Sequence, residues 1–183
     1  MNLSASPYTF KKLELRSKVS SYAAQYLQVP LIYVNQIGAN DNLIYDGNSF
    51  ILDKHGSKIK QLKSFSEDLS SWDVEQTKPQ KNKFGKSEMS SIFDALVLGV
   101  RDYAQKCGFK TALIGLSGGI DSALVSAIAT AALGSNNIFC VSMPSKWSSS
   151  HSKSDAKDLA RRLKINFNSI PIENLMSSLK NLL

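Results

Sequence analysis

The sequence has little of what marks membrane, secreted or metal-binding proteins. It contains only two cysteines in 183 residues, Cys107 and Cys140, and they lack the spacing of a metal site. Both lie in apolar patterns, which predicts reduced cysteines in the core of a cytoplasmic protein. No apolar run approaches the roughly 20 residues that cross a bilayer, and the first residues lack the apolar core of a signal peptide. We therefore expect no membrane partner.

Acidic residues are fewer than basic ones. Fifteen Asp and Glu residues face 22 Lys and Arg residues, a net charge of +7 that is compatible with a nucleic-acid partner. The lysines are spread thinly, however, and their local excess at residues 78–86 lies in a polar segment with Pro79 and Gly85. A solvated linker explains this composition better, so we expect no nucleic-acid partner.

One stretch carries the clearest chemical signal. Residues 112–116 form an apolar run of strand length, Ser-Gly-Gly follows at 117–119, and a helix is predicted over 122–133. Glycines let backbone N–H groups approach an anion closely, and a helix N-terminus adds positive partial charge. Asp121 supplies a carboxylate oxygen of the kind that Mg²⁺ binds. The pattern predicts a phosphate-binding corner between a strand and a helix.

Strand and helix patterns alternate after this corner. Apolar strands are predicted at 138–143 and 166–172, and helices at 154–163 and from residue 173 to 183. This order predicts an α/β protein with a doubly wound parallel sheet. The glycine corner then lies at the carboxyl end of its strand, where such sheets bind ligands.

The loop at 143–152 is rich in serine. A flexible linker is one interpretation, and a mobile lid next to the glycine corner is the other, because the loop leaves the carboxyl end of a buried strand. Lys146 and His151 are candidate phosphate contacts within it.

Two other helices are predicted to turn an apolar face to the core. The first spans residues 11–28, and its apolar positions are Leu15, Val19, Tyr22, Ala23, Tyr26 and Leu27. The second starts at residue 90, and its inward positions are Ile92, Leu96, Val100, Tyr103 and Cys107. Gly108 is its predicted stop.

The first third of the chain also has strand patterns. Strands are predicted at 31–34, 49–52 and 58–62, the last two as a hairpin, with a loop at 35–41. Residues 66–87 lack periodicity and are predicted to be a linker.

Two family resemblances rest on these motifs. Ser117-Gly118-Gly119-Ile120-Asp121-Ser122 resembles the loop of ATP pyrophosphatases, which cleave ATP between the α and β phosphates to adenylate a substrate. Met-Pro-Ser at 143–145 makes the second half similar to NAD synthetases. Residues 2–8, 34–38 and 45–50 resemble the end of a nitrilase-type amidase, an αββα sandwich. Together, in this order, the two modules resemble the glutamine-dependent NAD synthetases.

The resemblance implies a ligase that amidates deamido-NAD with ATP, releases AMP and pyrophosphate, and takes ammonia from glutamine. It implies ATP binding by Gly115, Leu116, Ser117, Gly118, Gly119, Ile120, Asp121 and Ser122. It further implies Mg²⁺ binding by Asp121, and glutamine binding by Ser6 and Lys12. The full-length form is expected to be a cytoplasmic homo-oligomer.

The resemblance also suggests how the chain divides. Residues 1–65 correspond to the end of the glutaminase domain, 66–87 to a linker, and 88–183 to the start of an ATP-pyrophosphatase domain of the adenine nucleotide alpha hydrolase type. The glutaminase Glu, Lys and Cys have no counterpart in this chain, so we expect a fragment truncated at both ends and inactive by itself.

Two alternatives remain open from the sequence. The chain could belong to another ATP pyrophosphatase, such as a tRNA-modifying enzyme, although those lack a nitrilase-type module. It could also be an inactive nucleotide-binding fragment.

Overall fold

The structure, a computed structural model, describes residues 1–75 and 87–180. Contacts divide the chain into two units, Met1–Tyr103 and Ala104–Leu183. Most of the predicted linker, residues 76–86, and the end of the last predicted helix, residues 181–183, lie outside the described residues. No described helix is both long and apolar enough to cross a membrane.

The first unit is built on a four-stranded sheet. In chain order its elements are β1 (Asn2–Ser4), α1 (Lys12–Leu27), β2 (Leu31–Asn35), β3 (Ile37–Asn40), β4 (Leu43–Asp46), β5 (Phe50–Leu52), β6 (Lys58–Gln61) and α2 (Glu88–Lys106), which ends in the second unit. The sheet has the order β1-β2-β5-β6, with β1 parallel to β2 and the other pairs antiparallel. The rings of Tyr33 and Phe50 stack at 4.9 Å in its core, against Ala24 of α1.

The predicted strands of this unit are confirmed, but the predicted loop at 35–41 is wrong. Residues Ile37–Asn40 form a strand that pairs with Leu43–Asp46 in a separate antiparallel hairpin. Asp41 adopts the left-handed conformation, with φ of 52°, and so closes a tight turn. Gly38 interrupts the apolar alternation by which this strand could have been recognised.

Helix α1 turns the opposite face to the sheet from the one predicted. Its buried residues are Arg16, Ser20 and Ala24, whereas Leu15 is 55% exposed and Tyr26 is 88% exposed. The small side chains of Ser20 and Ala24 let the helix approach the sheet, and Arg16 finds a buried acidic partner there. A prediction from apolar periodicity takes account of neither the small side chains nor the buried ion pair.

Helix α2 is also rotated relative to the prediction. Ala95 and Leu98 are buried against Phe65, while Tyr103 and Cys107 are exposed. Two close approaches fix this orientation. A Cβ at Gly99 would lie 3.2 Å from Ile44 Cδ1, and the Asp102 carboxylate accepts a 2.7 Å hydrogen bond from Ala39 N. The predicted core position of Cys107 is therefore wrong. The predicted stop is confirmed, since Gly108 has φ of 74° directly after the helix.

The second unit is a parallel α/β layer. Its elements are β7 (Ala112–Gly115), α3 (Ile120–Leu133), β8 (Ile138–Ser142), α4 (Ser150–Leu163), β9 (Asn166–Ser169) and α5 (Glu173–Lys180). The sheet has the order β7-β8-β9, and both pairs are parallel. Ala129 of α3 and Ala156 of α4 pack in one core with Ile138 and Cys140, so both helices cover the same face.

The other face of this sheet stays exposed among the described residues. Leu113 is 75% exposed and Phe139 is 44% exposed. The mixed α/β class is thus confirmed, while the doubly wound arrangement stays a prediction. Helix α3 was expected to be buried on most sides, but Leu124 and Val125 are about half exposed, at 51% and 53%.

Cys140 lies in the core as predicted, with 1% of its surface exposed. Burial raises the pKa of its thiol, and a hydrogen bond with Ser126 at 3.7 Å partly offsets this. A buried thiol kept neutral in this way is a packing group rather than a nucleophile.

Candidate functional site

The glycine corner begins where two parallel strands end. Leu116, directly after β7, is buried, and its N–H donates to Val141 O at 2.9 Å. This bond continues the pairing of β7 with β8 by one residue. Ser117 and the residues after it therefore leave the sheet at its carboxyl edge, the usual ligand-binding edge of parallel sheets.

Two serine hydroxyls close the corner. Ser117 N donates to Ser122 Oγ at 3.3 Å, the two hydroxyl oxygens lie 3.0 Å apart, and Gly119 N donates to Ser117 Oγ at 3.2 Å. Gly119 is the N-cap of α3 and offers no side chain to the first turn. The first N–H groups of α3 thus keep no side-chain acceptor in the part of the chain that the structure describes, which is the arrangement that binds anions at helix N-termini.

The two glycines of the corner have different roles. Gly118 has φ of +87°, and a Cβ there would lie 2.1 Å from Ser152 O. Gly119 has φ of −87°, and its Cβ would meet Ser117 Oγ at an ordinary 3.4 Å. Gly118 is therefore required by the backbone and by the close approach of α4, whereas Gly119 could accept a Cβ at ordinary contact distance from Ser117 Oγ.

Asp121 lies in the first turn of α3 and is exposed. Its carboxylate makes no hydrogen bond or ion pair with residues 1–75 or 87–180. Those residues contain no group of three or more His, Cys, Asp or Glu that could hold a metal. One carboxylate beside this glycine corner is compatible with Mg²⁺, which usually takes its other ligands from phosphates and water.

The start of α4 contributes to the same corner, which the sequence analysis missed. Ser149 Oγ accepts from Ser152 N at 3.0 Å and caps the helix, so the predicted loop ends at residue 149 rather than 152. A cavity of about 200 Å³ opens here. It is lined by Gly115, Leu116, Ser117, Val141, Ser142, Met143, Pro144, Ser148, Ser152 and Lys153. The Ser-x-x-Ser capping spacing was the available signal for this helix start.

Neither predicted phosphate contact of the serine-rich segment lines this cavity. The Lys146 ammonium lies 5.1 Å from the ring centroid of Trp147, and Lys146 N donates to a Glu173 carboxylate oxygen at 2.9 Å. His151 is exposed on the first turn of α4. Lys153 is the cation that the structure places at the cavity.

In the first unit, Ser6 is held through its backbone. Ser6 N donates to Asn35 Oδ1 at 2.9 Å, and Asn35 Nδ2 donates to Ser6 O at 3.2 Å. The Ser6 hydroxyl has no hydrogen-bond partner within the two described ranges. It remains available to a ligand.

A buried polar cluster lies behind Ser6. Asp46 is fully buried, and one of its oxygens accepts from Arg16 Nη2 at 2.6 Å, while the other accepts from Asn48 Nδ2 at 2.7 Å. Asn35 Nδ2 lies 3.5 Å from the first oxygen. Arg16 Nε and Nη1 are buried without a hydrogen-bond partner among the described residues. Loss of Asp46 would leave the whole guanidinium uncompensated.

Lys12 lies at the start of α1 and lines a cavity of about 440 Å³, together with Asp46, Asn48 and Lys58. Burial lowers the pKa of Lys58 in this cavity. Ser6 is not one of the lining residues. The structure therefore does not bring the two predicted glutamine contacts into one described cavity.

The fold and the corner define a class: α/β proteins with a glycine-rich turn between strand and helix at the carboxyl edge of a parallel sheet. Within that class, the sequence model of the NAD synthase family matches residues 92–183. A glutamine-dependent NAD(+) synthetase of a Synechocystis species is 47% identical over 97% of this chain and 33% of its own length. The corresponding Rhodobacter capsulatus protein is 40% identical over 92% of this chain and 32% of its own.

Solved structures of such synthetases are also similar to this chain. The glutamine-dependent NAD+ synthetase of Acinetobacter baumannii, in complex with ADP, superposes with a TM-score of 0.91 at 34% identity, over 100% of this chain and 36% of that one. The Cytophaga hutchinsonii enzyme gives a TM-score of 0.81 at 19% identity over 98% of this chain and 37% of that one, which speaks for the fold alone. The chain belongs to the NAD synthase family, and it spans about a third of the length of these relatives.

The family match and the contacts divide the chain differently. The match to the NAD synthase model begins at residue 92, yet the contacts assign α2 as far as Tyr103 to the first unit. The reason is the packing of α2 on Phe65 and on the β3–β4 hairpin. A sequence boundary drawn before this helix therefore cuts through a packed core.

Proposed function

We propose that the complete polypeptide carrying this chain is a glutamine-dependent NAD synthetase. It would adenylate deamido-NAD with ATP and replace AMP by ammonia drawn from glutamine. The observation that carries this proposal is the similarity over the whole chain to a synthetase solved with ADP. The glycine corner supports it, because it offers an uncapped helix N-terminus to a nucleotide phosphate.

In the second unit, residues 115–122 would hold ATP. The N–H groups of the first turn of α3 and the hydroxyls of Ser117 and Ser122 would donate to phosphate oxygens as negative charge grows on the departing pyrophosphate. Lys153 adds positive charge at the same cavity. Asp121 would hold Mg²⁺, which when bound neutralises phosphate charge.

In the first unit, the free hydroxyl of Ser6 and the ammonium of Lys12 would contact glutamine. Neither group has a side-chain partner within the described residues, so neither contact requires an existing bond to break. Residues 1–65 would then be the end of a nitrilase-like glutaminase domain, and 88–183 the start of the synthetase domain. Helix α2 would then belong to the synthetase domain by sequence, although most of the helix packs in the first unit.

The test is NAD formation from deamido-NAD by the complete polypeptide, with glutamine or with ammonia as nitrogen donor. Gly119→Val places a branched side chain at the N-terminus of α3, where the phosphate would approach, and should abolish both reactions. Ser6→Ala should lower only the glutamine-driven one. Ser4→Ala is the matched control, since the Ser4 hydroxyl donates an exposed hydrogen bond to Asn2 Oδ1 and has no other partner among the described residues.

A different outcome would favour the other ATP pyrophosphatases. If neither donor gives NAD, and AMP and pyrophosphate appear only when tRNA is added, the proposal is wrong.

A further inference from the structure

Residues 4–8 lie outside regular structure for most of their length, and Pro7 has no N–H to donate. Such a segment keeps one conformation only if other elements supply its hydrogen bonds. Three sets of bonds do so. Ser4 O accepts from Gln36 N at 2.9 Å, and Tyr8 N donates to Ile44 O at 2.6 Å. Between these two ends, Ser6 bonds to Asn35 alone within residues 1–75 and 87–180.

The amide of Asn35 can make these bonds in one orientation only. Its oxygen must face Ser6 N–H and its nitrogen must face Ser6 O. The Asp46 carboxylate, which only accepts, lies 3.5 Å from the same nitrogen and favours the same orientation. A flipped amide would place its oxygen against a carbonyl and a carboxylate together.

Arg16 keeps that carboxylate in place. Asp46 is fully buried, and the 2.6 Å contact with Arg16 compensates its charge. A third bond, from Asn35 N to Ser49 Oγ at 3.0 Å, fixes the backbone of Asn35 itself. The chain of contacts therefore runs from Arg16 through Asp46 and Asn35 to Ser6, and it ends at a free hydroxyl.

We propose that Asn35, oriented by the Asp46–Arg16 pair, is a positioning residue for glutamine: it fixes the backbone of Ser6 so that the Ser6 hydroxyl meets the substrate. This inference rests on the proposed role of Ser6. Asn35 touches no substrate and acts only through Ser6.

The chain offers a matched control in Asn48. Asn35 and Asn48 are both 7% exposed, and each donates its side-chain amide to Asp46. Only Asn35 contacts Ser6; Asn48 instead accepts from Gln61 Nε2 at 3.0 Å. Asn35→Asp and Asn48→Asp keep the side-chain size and place a second carboxylate against Asp46. Both should lower the thermal midpoint of the complete polypeptide.

The two variants should differ in kinetics. A displaced contact group commonly lowers a rate by up to about 100-fold, so Asn35→Asp should reduce kcat/KM for glutamine by roughly 10- to 100-fold, mainly through KM. Ammonia-driven NAD formation should stay unchanged. Asn48→Asp leaves the Asn35–Ser6 bonds intact, so it should reduce kcat/KM for glutamine much less than Asn35→Asp does, although Asn48 lines the cavity at Lys12. Equal losses in the two variants would show a merely structural role and overturn the proposal.

A double-mutant cycle separates this inference from the function on which it rests. Asn35→Ala, which adds no charge, serves if the aspartate variant fails to fold. In a Ser6→Ala background, Asn35→Ala should cost no further kcat/KM for glutamine, because its effect passes through Ser6. Additive losses would overturn the positioning role. If Ser6→Ala alone has wild-type kinetics, the proposed role of Ser6 is wrong.

Discussion

The two units hold their candidate ligand-contacting segments in opposite ways. In the second unit, the hydroxyls of Ser117 and Ser122 bond to each other across five positions of sequence, and this bond is exposed. In the first unit, Ser6 bonds to Asn35, 29 positions away, and Arg16 bonds to Asp46, 30 positions away, in a buried cluster. The glycine corner is a local structure, whereas the Ser6 segment depends on the assembled unit.

This difference decides how each unit responds to change. Exposed hydroxyl bonds exchange readily with water, so their loss costs little stability. A buried polar cluster is stabilising only while every member keeps its partners. The first unit should therefore be damaged by altering the cluster, and the second by altering its backbone geometry or its charge.

The largest effect is expected from Asp46→Ala. It would leave the buried Arg16 guanidinium without its acidic partner and should lower the free energy of unfolding by about 3–5 kcal/mol. Urea unfolding of the 183-residue chain measures this. The control is Asp158→Ala, which removes ion pairs to Arg161 and Arg162 whose guanidinium groups are mostly exposed, and it should change stability little. Similar losses in the two variants would contradict a special role for the buried cluster.

Asp121→Asn should have the next largest effect, and on catalysis rather than folding. It keeps the size of the side chain and removes the charge that would hold Mg²⁺. Formation of the adenylate by the complete polypeptide should fall about 100-fold, the scale of losing one electrostatic contact to a transition state. The rate is measured as pyrophosphate release at limiting magnesium. A wild-type rate there would instead make Asp121 a helix-terminal residue of α3 without a metal role.

Gly118→Ala and Gly119→Ala separate backbone geometry from ligand access. Alanine at residue 118 must adopt a positive φ and meet Ser152 O, so it should lose at least about 1–3 kcal/mol of stability. Alanine at residue 119 should cost less than about 1 kcal/mol. Thermal unfolding of the 183-residue chain compares them. Equal stabilities would show that α4 does not approach the corner as closely as described.

The smallest effect is expected from Tyr22→Lys on α1. Tyr22 is 73% exposed on the face that periodicity predicts to be buried. The free energy of unfolding of the 183-residue chain should therefore change by no more than about 0.5 kcal/mol. Ala24→Leu, on the fully buried face, is the comparison and should cost about 1–3 kcal/mol through overpacking. A large loss of stability in Tyr22→Lys would show that the face predicted from periodicity is the buried one.

Local structure follows from the sequence of this chain, whereas the orientation of its helices does not. The strand, corner and helix from Ala112 to Leu133 follow from neighbouring residues, and the structure has them close to the predicted positions. Which face of α1 or α2 is buried depends instead on where small residues let the helix pack closely. In α1 this is Ala24 against Phe50, and in α2 it is Gly99 beside Ile44. Apolar side chains that are exposed on the opposite faces made the periodicity predict the wrong buried faces.

The sequence by itself determined the glycine corner and the family resemblance. The resemblance rests on short motifs along the chain, and the corner rests on adjacent residues, whose glycine conformations and helix start are set within a single turn. Only the tertiary structure decided that Ser152 and Lys153 lie beside the corner, and that the Asn35 side chain hydrogen-bonds to the backbone of Ser6. Those contacts join residues about 30 positions apart, and a pairing at that distance is chosen by the burial of charge and by close packing, which no local pattern encodes.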